Sequence, residues 1–121
     1  MKTILVVDDE AAMREVIEDA LDSTYTVTTV ANGKEALEKL AGQKFDLLIT
    51  DLVMPEMNGI DLMMGLQKNN PEQKIIAISG GGGINGRFDY LPVAKLIGAC
   101  TVLRKPFTMT QLRDAVNKMM A

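Results

Sequence analysis

Short apolar runs alternate with segments of helical periodicity five times along this chain, and that alternation limits the fold more than any other feature. Thr3-Ile4-Leu5-Val6-Val7 is apolar at nearly every position, which marks a strand buried on both faces. Met13, Val16, Ile17, Ala20 and Leu21 then recur at helical spacing, with Arg14, Glu15, Glu18 and Asp19 on the opposite side. The pattern repeats. Tyr25 to Val30 reads as a strand, and Asn32-Gly33 opens a helix through Ala36, Leu37 and Leu40 that ends near Gly42. Phe45 to Thr50 is a third strand, followed by a helix from Asn58-Gly59 through Leu62, Met63 and Leu66 that stops before Pro71. Lys74 to Ser79 is a fourth strand. Asp89 is placed to cap a short helix through Ala94, Leu96 and Ile97, with Gly98 as its stop. Ala99 to Arg104 is the fifth strand, and Thr108 caps a last helix through Leu112, Val116 and Met119. Repeated β-α units with such strands predict an α/β fold, a five-stranded parallel sheet with helices on both faces. With 121 residues and no linker or low-complexity stretch, residues 1–121 are expected to form one domain, without an output domain.

Composition narrows the chemistry. The chain has no histidine, which removes His-based triads, imidazole proton shuttles and any role as a phosphohistidine donor. With a single cysteine, Cys100, it can form no internal disulfide, and a structural zinc site is excluded as well. A net charge of -3 gives no electrostatic footprint for nucleic acid. No apolar run approaches the roughly 18 residues that span a bilayer, and Met1-Lys2-Thr3 leads straight into the first strand with no signal-type cleavage site. A cytoplasmic protein without membrane contact is expected. The nine methionines read as gap-filling core residues, with Met119-Met120 the best candidate for a methionine docking surface.

Ligands of open α/β sheets bind beyond the carboxyl ends of the strands, so the residues there carry the functional signal. The first strand ends in Asp8-Asp9-Glu10, the third in Asp51, the fourth in Ser79 and the fifth in Arg104-Lys105-Pro106. Taken singly, Asp8 and Asp9 read as helix caps and Lys105-Pro106 as a turn. Together they place carboxylates, a hydroxyl and an ammonium at one edge. Clustered carboxylates repel unless a cation neutralises them, and a hard ion such as Mg²⁺ takes oxygen ligands of this kind. A carboxylate also serves as a nucleophile toward phosphorus, while a metal, a lysine and a hydroxyl stabilise the charge on the transferred group.

The stretches ILVVDDE, DLLITDLVMPEMNG, IIAISG and VLRKPF, in this order, make the chain resemble the receiver domains of bacterial two-component response regulators over essentially its whole length. The resemblance implies a flavodoxin-like fold of strand order 2-1-3-4-5. It implies that Asp51 accepts a phosphoryl group from the phosphohistidine of a sensor histidine kinase or a histidine phosphotransfer protein, or from a small acyl phosphate. Asp9 and Asp51 would bind Mg²⁺ through carboxylates, with Asp8 assisting directly or through water and Val53 offering its backbone carbonyl. Ser79 and Lys105 would contact the phosphoryl oxygens. The Lys105-Pro106 bond is often cis in such proteins. The signal would pass to an unknown downstream protein, through a face built from the fourth helix, fifth strand and last helix.

The chain departs from the family pattern in three places. Ser79 and Lys105 are further apart than usual, and the extra length lies in Ser79-Gly80-Gly81-Gly82-Gly83-Ile84-Asn85-Gly86-Arg87. This contains G-x-G-x-x-G, but Arg87-Phe88 follow it and the next strand ends in Arg104-Lys105 rather than an acid, so a dinucleotide site is not supported. Successive glycines cost much backbone entropy to order, and the loop is expected to become ordered on phosphorylation. Val102 stands where the family usually carries an aromatic switch residue, with Tyr90 a substitute near the fourth helix. Val53 and Gly81 stand where, by the same resemblance, the family tunes aspartyl-phosphate lifetime, and neither carries a side chain able to orient water. Two other readings remain at this stage. One is a phosphorylation-independent scaffold with the same fold. The other is an Asp-nucleophile phosphatase of the haloacid dehalogenase type, which needs an acid where this chain has Val53.

Overall fold

A computed structural model of the chain describes residues 1–51, 62, 64, 65, 68, 72–79 and 101–121. The strands are β1 (Thr3–Val7), β2 (Thr26–Val30), β3 (Leu47–Asp51), β4 (Ile75–Ser79) and β5 (Thr101–Arg104). They form one sheet in the order β2-β1-β3-β4-β5, with every pair parallel. Helix α1 spans Ala11–Leu21, α2 spans Gly33–Gly42 and the C-terminal helix α3 spans Met109–Met120. Residues 62, 64, 65 and 68 are helical too, within the segment predicted as a helix before Pro71. The helix expected from Asp89 to Gly98, the glycine loop, Val53 and Tyr90 lie outside the described residues. No helix among the described residues is long and apolar enough to cross a membrane.

The side-chain period of two splits each central strand between two cores. Leu5 and Val7 of β1, Leu48 of β3 and Ile75 and Ala77 of β4 pack on one face, with Ala36 of α2 and Leu62. Ile4 and Val6, Leu47 and Ile49, and Ile76 and Ile78 point to the other face, where Ile17, Ala20 and Leu21 of α1 meet Leu112, Val116 and Met120 of α3. This is why the central strands carry no polar alternation. Val102 is half-buried and packs against the first core, as an aliphatic residue in that place can. Met120 is buried in the second core and Met119 packs against it, so the pair does not form the docking surface considered from sequence.

The helix starts follow their capping chemistry. The Asn32 side chain accepts from the Glu35 backbone N–H, and Glu35 reaches back to the Ala31 N–H at 3.1 Å. Thr108 and Gln111 form a reciprocal capping box that starts α3. At α1 the N-cap residue is Glu10, and its side chain makes no capping hydrogen bond. The cap role considered for Asp8 and Asp9 is therefore not used: Asp8 Oδ1 accepts from the Glu10 N–H two residues on, before the helix begins.

Candidate functional site

The strand order reverses between β1 and β3, which opens a crevice at their carboxyl ends. Asp8 follows β1 and Asp51 ends β3, so the two acids flank that crevice. The sequence placed the end of the third strand at Thr50; the ladder runs one residue further, because Asp51 pairs with Ile78. Asp51 is therefore held by sheet backbone, and it is 5% exposed. Its neighbour Thr50, fully buried, donates its hydroxyl to the Asp51 carbonyl at 2.9 Å. Ser79 is placed by its backbone, opposite Arg104 at the end of the β4–β5 ladder.

Lys105 leaves the end of β5 and turns its ammonium into the crevice. Its Nζ lies 3.1 Å from Asp51 Oδ2 in a hydrogen-bonded ion pair, and 3.6 Å from both Asp8 Oδ2 and Glu10 Oε1. The Lys105-Pro106 peptide bond is cis, as the resemblance implied. Burial alone would lower the ammonium's pKa. The charges of Asp51, Asp8 and Glu10 and the hydrogen bond to Asp51 outweigh burial, and the group titrates above the usual lysine value.

Asp8 is the most constrained acid of the site. Its side chain is 1% exposed, and among the described residues Oδ2 has no hydrogen-bond partner. Burial raises its pKa to about 6, helped by the negative charges of Asp51 and Asp9, against the opposing pull of the Glu10 N–H and Lys105. Its backbone is pinned from two sides: the Asp8 N–H donates to the Val30 carbonyl, and the Arg14 guanidinium donates to the Asp8 carbonyl at 2.7 Å.

Carboxylate oxygens of Asp8, Asp9 and Glu10 all lie within 4.8 Å of one another. A buried carboxylate oxygen that lacks a hydrogen bond, beside two further carboxylates, is the donor set that a hard divalent cation completes. Asp51 joins this group across Lys105. The structure thus brings Asp8, Asp9, Asp51 and Lys105 to one edge, as the sequence predicted. Two residues escaped sequence reasoning. Glu10 was visible as the third acid of Asp8-Asp9-Glu10 but had no assigned contact. Arg14 was read only as part of the polar side of α1, and its bond to the Asp8 carbonyl depends on where α1 begins.

Comparison with known proteins agrees with this geometry. The family model of the response regulator receiver domain matches residues 4–117. The chain is 38% identical over 123 residues to the response regulator receiver protein CpdR of Brucella abortus, covering 99% of this chain and 98% of that protein. It is 38% identical over 119 residues to the chemotaxis protein CheY of Thermotoga maritima, covering 97% and 96% of the two chains. Among solved structures, the response regulator TrrA of Thermotoga maritima, determined in complex with Mg²⁺-BeF, superposes with a TM-score of 0.84 at 32% identity over 98% of this chain and 99% of that one. Matched over nearly its full length in sequence and in fold, this chain belongs to the response regulator receiver domain family.

Proposed function

We propose that this receiver takes a phosphoryl group onto Asp51 and passes the resulting change to a partner protein. The observation that carries the reading is the Asp51 carboxylate, held at the end of a buried strand with the Lys105 ammonium 3.1 Å away, an ammonium it shares with the buried Asp8 carboxylate. In the step itself, an Asp51 carboxylate oxygen attacks phosphorus in line with the leaving group. The oxygen–phosphorus bond forms as the phosphorus–nitrogen bond of a phosphohistidine, or the phosphorus–oxygen bond of an acyl phosphate, breaks and the leaving atom keeps the electron pair. Lys105 is placed to neutralise the oxygens of the group in transit, and Ser79, at the end of the adjacent strand, supplies a hydroxyl in the same role.

Asp8, Asp9 and Asp51, with the Val53 carbonyl, are the residues that would hold Mg²⁺. When bound, the ion adds positive charge against the transferring group, which carboxylates alone would repel. Asp8 contributes a rigid oxygen because its backbone is pinned by Arg14 and Val30. The donor is a histidine kinase, a histidine phosphotransfer protein or a small acyl phosphate. A cleft of about 340 Å³ lined by Met13, Val16, Lys105, Pro106 and Phe107 supplies apolar contact area beside the acceptor for such a protein.

Intact-mass spectrometry after incubation with acetyl phosphate and Mg²⁺ tests this reading. One added phosphoryl group is expected on the wild type, and none on Asp51→Asn or in the presence of a chelator. No mass gain from either acetyl phosphate or a phosphorylated histidine kinase would instead favour a phosphorylation-independent scaffold.

A further inference from the structure

Glu10 sits inside the site, yet neither the strand-end chemistry nor the capping of α1 accounts for its carboxylate. It is the N-cap residue of α1, a place where a short polar side chain normally accepts from the helix N–H groups, and it makes no such bond. Its Oε1 lies 3.6 Å from Lys105 Nζ, as close as the buried Asp8 Oδ2. Another of its contacts with the site is through the backbone, where its N–H donates to Asp8 Oδ1 at 2.9 Å. Its carboxylate belongs to the same close group as those of Asp8 and Asp9.

We propose that Glu10 is a positioning residue, a counter-charge that draws Lys105 away from Asp8 and Asp51 and thereby strengthens cation binding while opposing anionic phosphoryl donors. The proposal rests on the reading of Asp51 as the acceptor. One ammonium is shared among three carboxylates. Without Glu10, Lys105 pairs more fully with the two acids a cation would need. The same negative charge at the mouth of the site repels a donor that arrives carrying its own negative charge. One group therefore shifts the two binding events in opposite directions. Because the Glu10 side chain is 66% exposed, the effect is modest and weakens with salt.

The test uses Glu10→Gln, which keeps size and removes charge, and Asp22→Asn, which removes one charge at the far end of α1. Mg²⁺ binding is followed by amide chemical shifts with no donor present. Phosphorylation is followed by intact mass at saturating Mg²⁺ over a range of acetyl phosphate concentrations. Glu10→Gln is expected to raise the Mg²⁺ Kd about two- to five-fold and to lower the half-saturating acetyl phosphate concentration by a similar factor, with both differences shrinking in 1 M KCl. Glu10→Asp, which retains the charge, should return both values toward the wild type, and Asp22→Asn should change neither. An unchanged Mg²⁺ Kd, shifts of the same sign, or equal shifts in Asp22→Asn overturn the proposal. If wild type takes no phosphoryl group at all, the acceptor reading fails, and the Mg²⁺ titration still decides whether Glu10 acts on the cation.

Discussion

The two ends of the sheet use the same residue types for opposite purposes. At the amino end, Asp46 accepts from the Thr3 backbone N–H at 2.7 Å, Lys2 donates to the Met120 carbonyl at 2.7 Å and Lys74 donates to the Met119 carbonyl at 2.8 Å. Each of these charges meets a backbone group that needs a partner, including the last carbonyls of α3, which no further helical turn satisfies. At the carboxyl end, among the described residues, the carboxylates of Asp8, Glu10 and Asp51 all lie against the Lys105 ammonium, and Asp8 Oδ2 is left without a hydrogen bond. Satisfied charges tie chain segments together. Charges held against one another are what the proposed cation and phosphoryl group would engage. The fold provides the rigidity for this conflict, since Asp51 belongs to a buried strand and Asp8 is fixed through its backbone.

If this contrast is right, substitutions at the two ends should separate activity from stability. The largest effect is expected for Lys105→Ala. It should slow phosphorylation about 100-fold by removing a charge aimed at the transferring group. It should also destabilise the cation-free protein by about 3 kcal/mol, because Asp8 and Asp51 lose the ammonium they share. Urea melts with and without Mg²⁺ would check this, with the ion recovering much of the loss.

Next comes Asp8. Its folded pKa of about 6 lies above the ordinary value of 3.8, so the folded state holds the proton more tightly than the unfolded chain. The cost of burying its charge is therefore fully present above pH 6, and it fades as pH falls toward 4. The cation-free protein should gain up to about 2 kcal/mol from this group over that range. Asp8→Asn should show that gain already at neutral pH, lose this part of the pH dependence and bind Mg²⁺ poorly. Thermal melts in a chelator from pH 4 to 8 would read both effects.

Thr108→Ala sharpens the comparison from within the carboxyl end. It removes the cap of α3 and should cost about 1 kcal/mol with little change in phosphorylation rate. The smallest effect is expected at Asp46→Ala, whose partner N–H is partly reachable by water. A loss of about 0.5–1 kcal/mol in denaturant midpoint, with unchanged phosphorylation, would keep the amino end in its stabilising role. Slowed phosphorylation in that variant would break the contrast.

Much of this was legible in the chain itself. Strands buried on both faces have no polar positions, so β1 was bounded correctly from Thr3 to Val7. The cap signals Asn32 and Thr108 placed the starts of α2 and α3. Strand ends were harder. The run Phe45 to Thr50 stopped one residue short of the ladder, which includes Asp51 because backbone pairing is indifferent to side-chain charge. Met119-Met120 could be read as core or surface, since a short amphipathic turn at a chain end shows little of its own register; packing into the core shared by α1, α3 and one face of the sheet decided it.

The order of apolar runs and helix signals by itself determined the α/β class, and the identity of the residues at the strand ends determined which chemistry could gather there. Those are properties of local pattern, and local pattern is written in the sequence. Tertiary structure alone decided how the gathered charges share their partners: that Lys105 stands between Asp51, Asp8 and Glu10, that Arg14 fixes Asp8 through its carbonyl, and that one Asp8 oxygen is buried without a hydrogen bond among the described residues. Such terms depend on distances of a few ångströms between residues far apart in the chain. Those distances are set by sheet register and by burial, which no local pattern encodes.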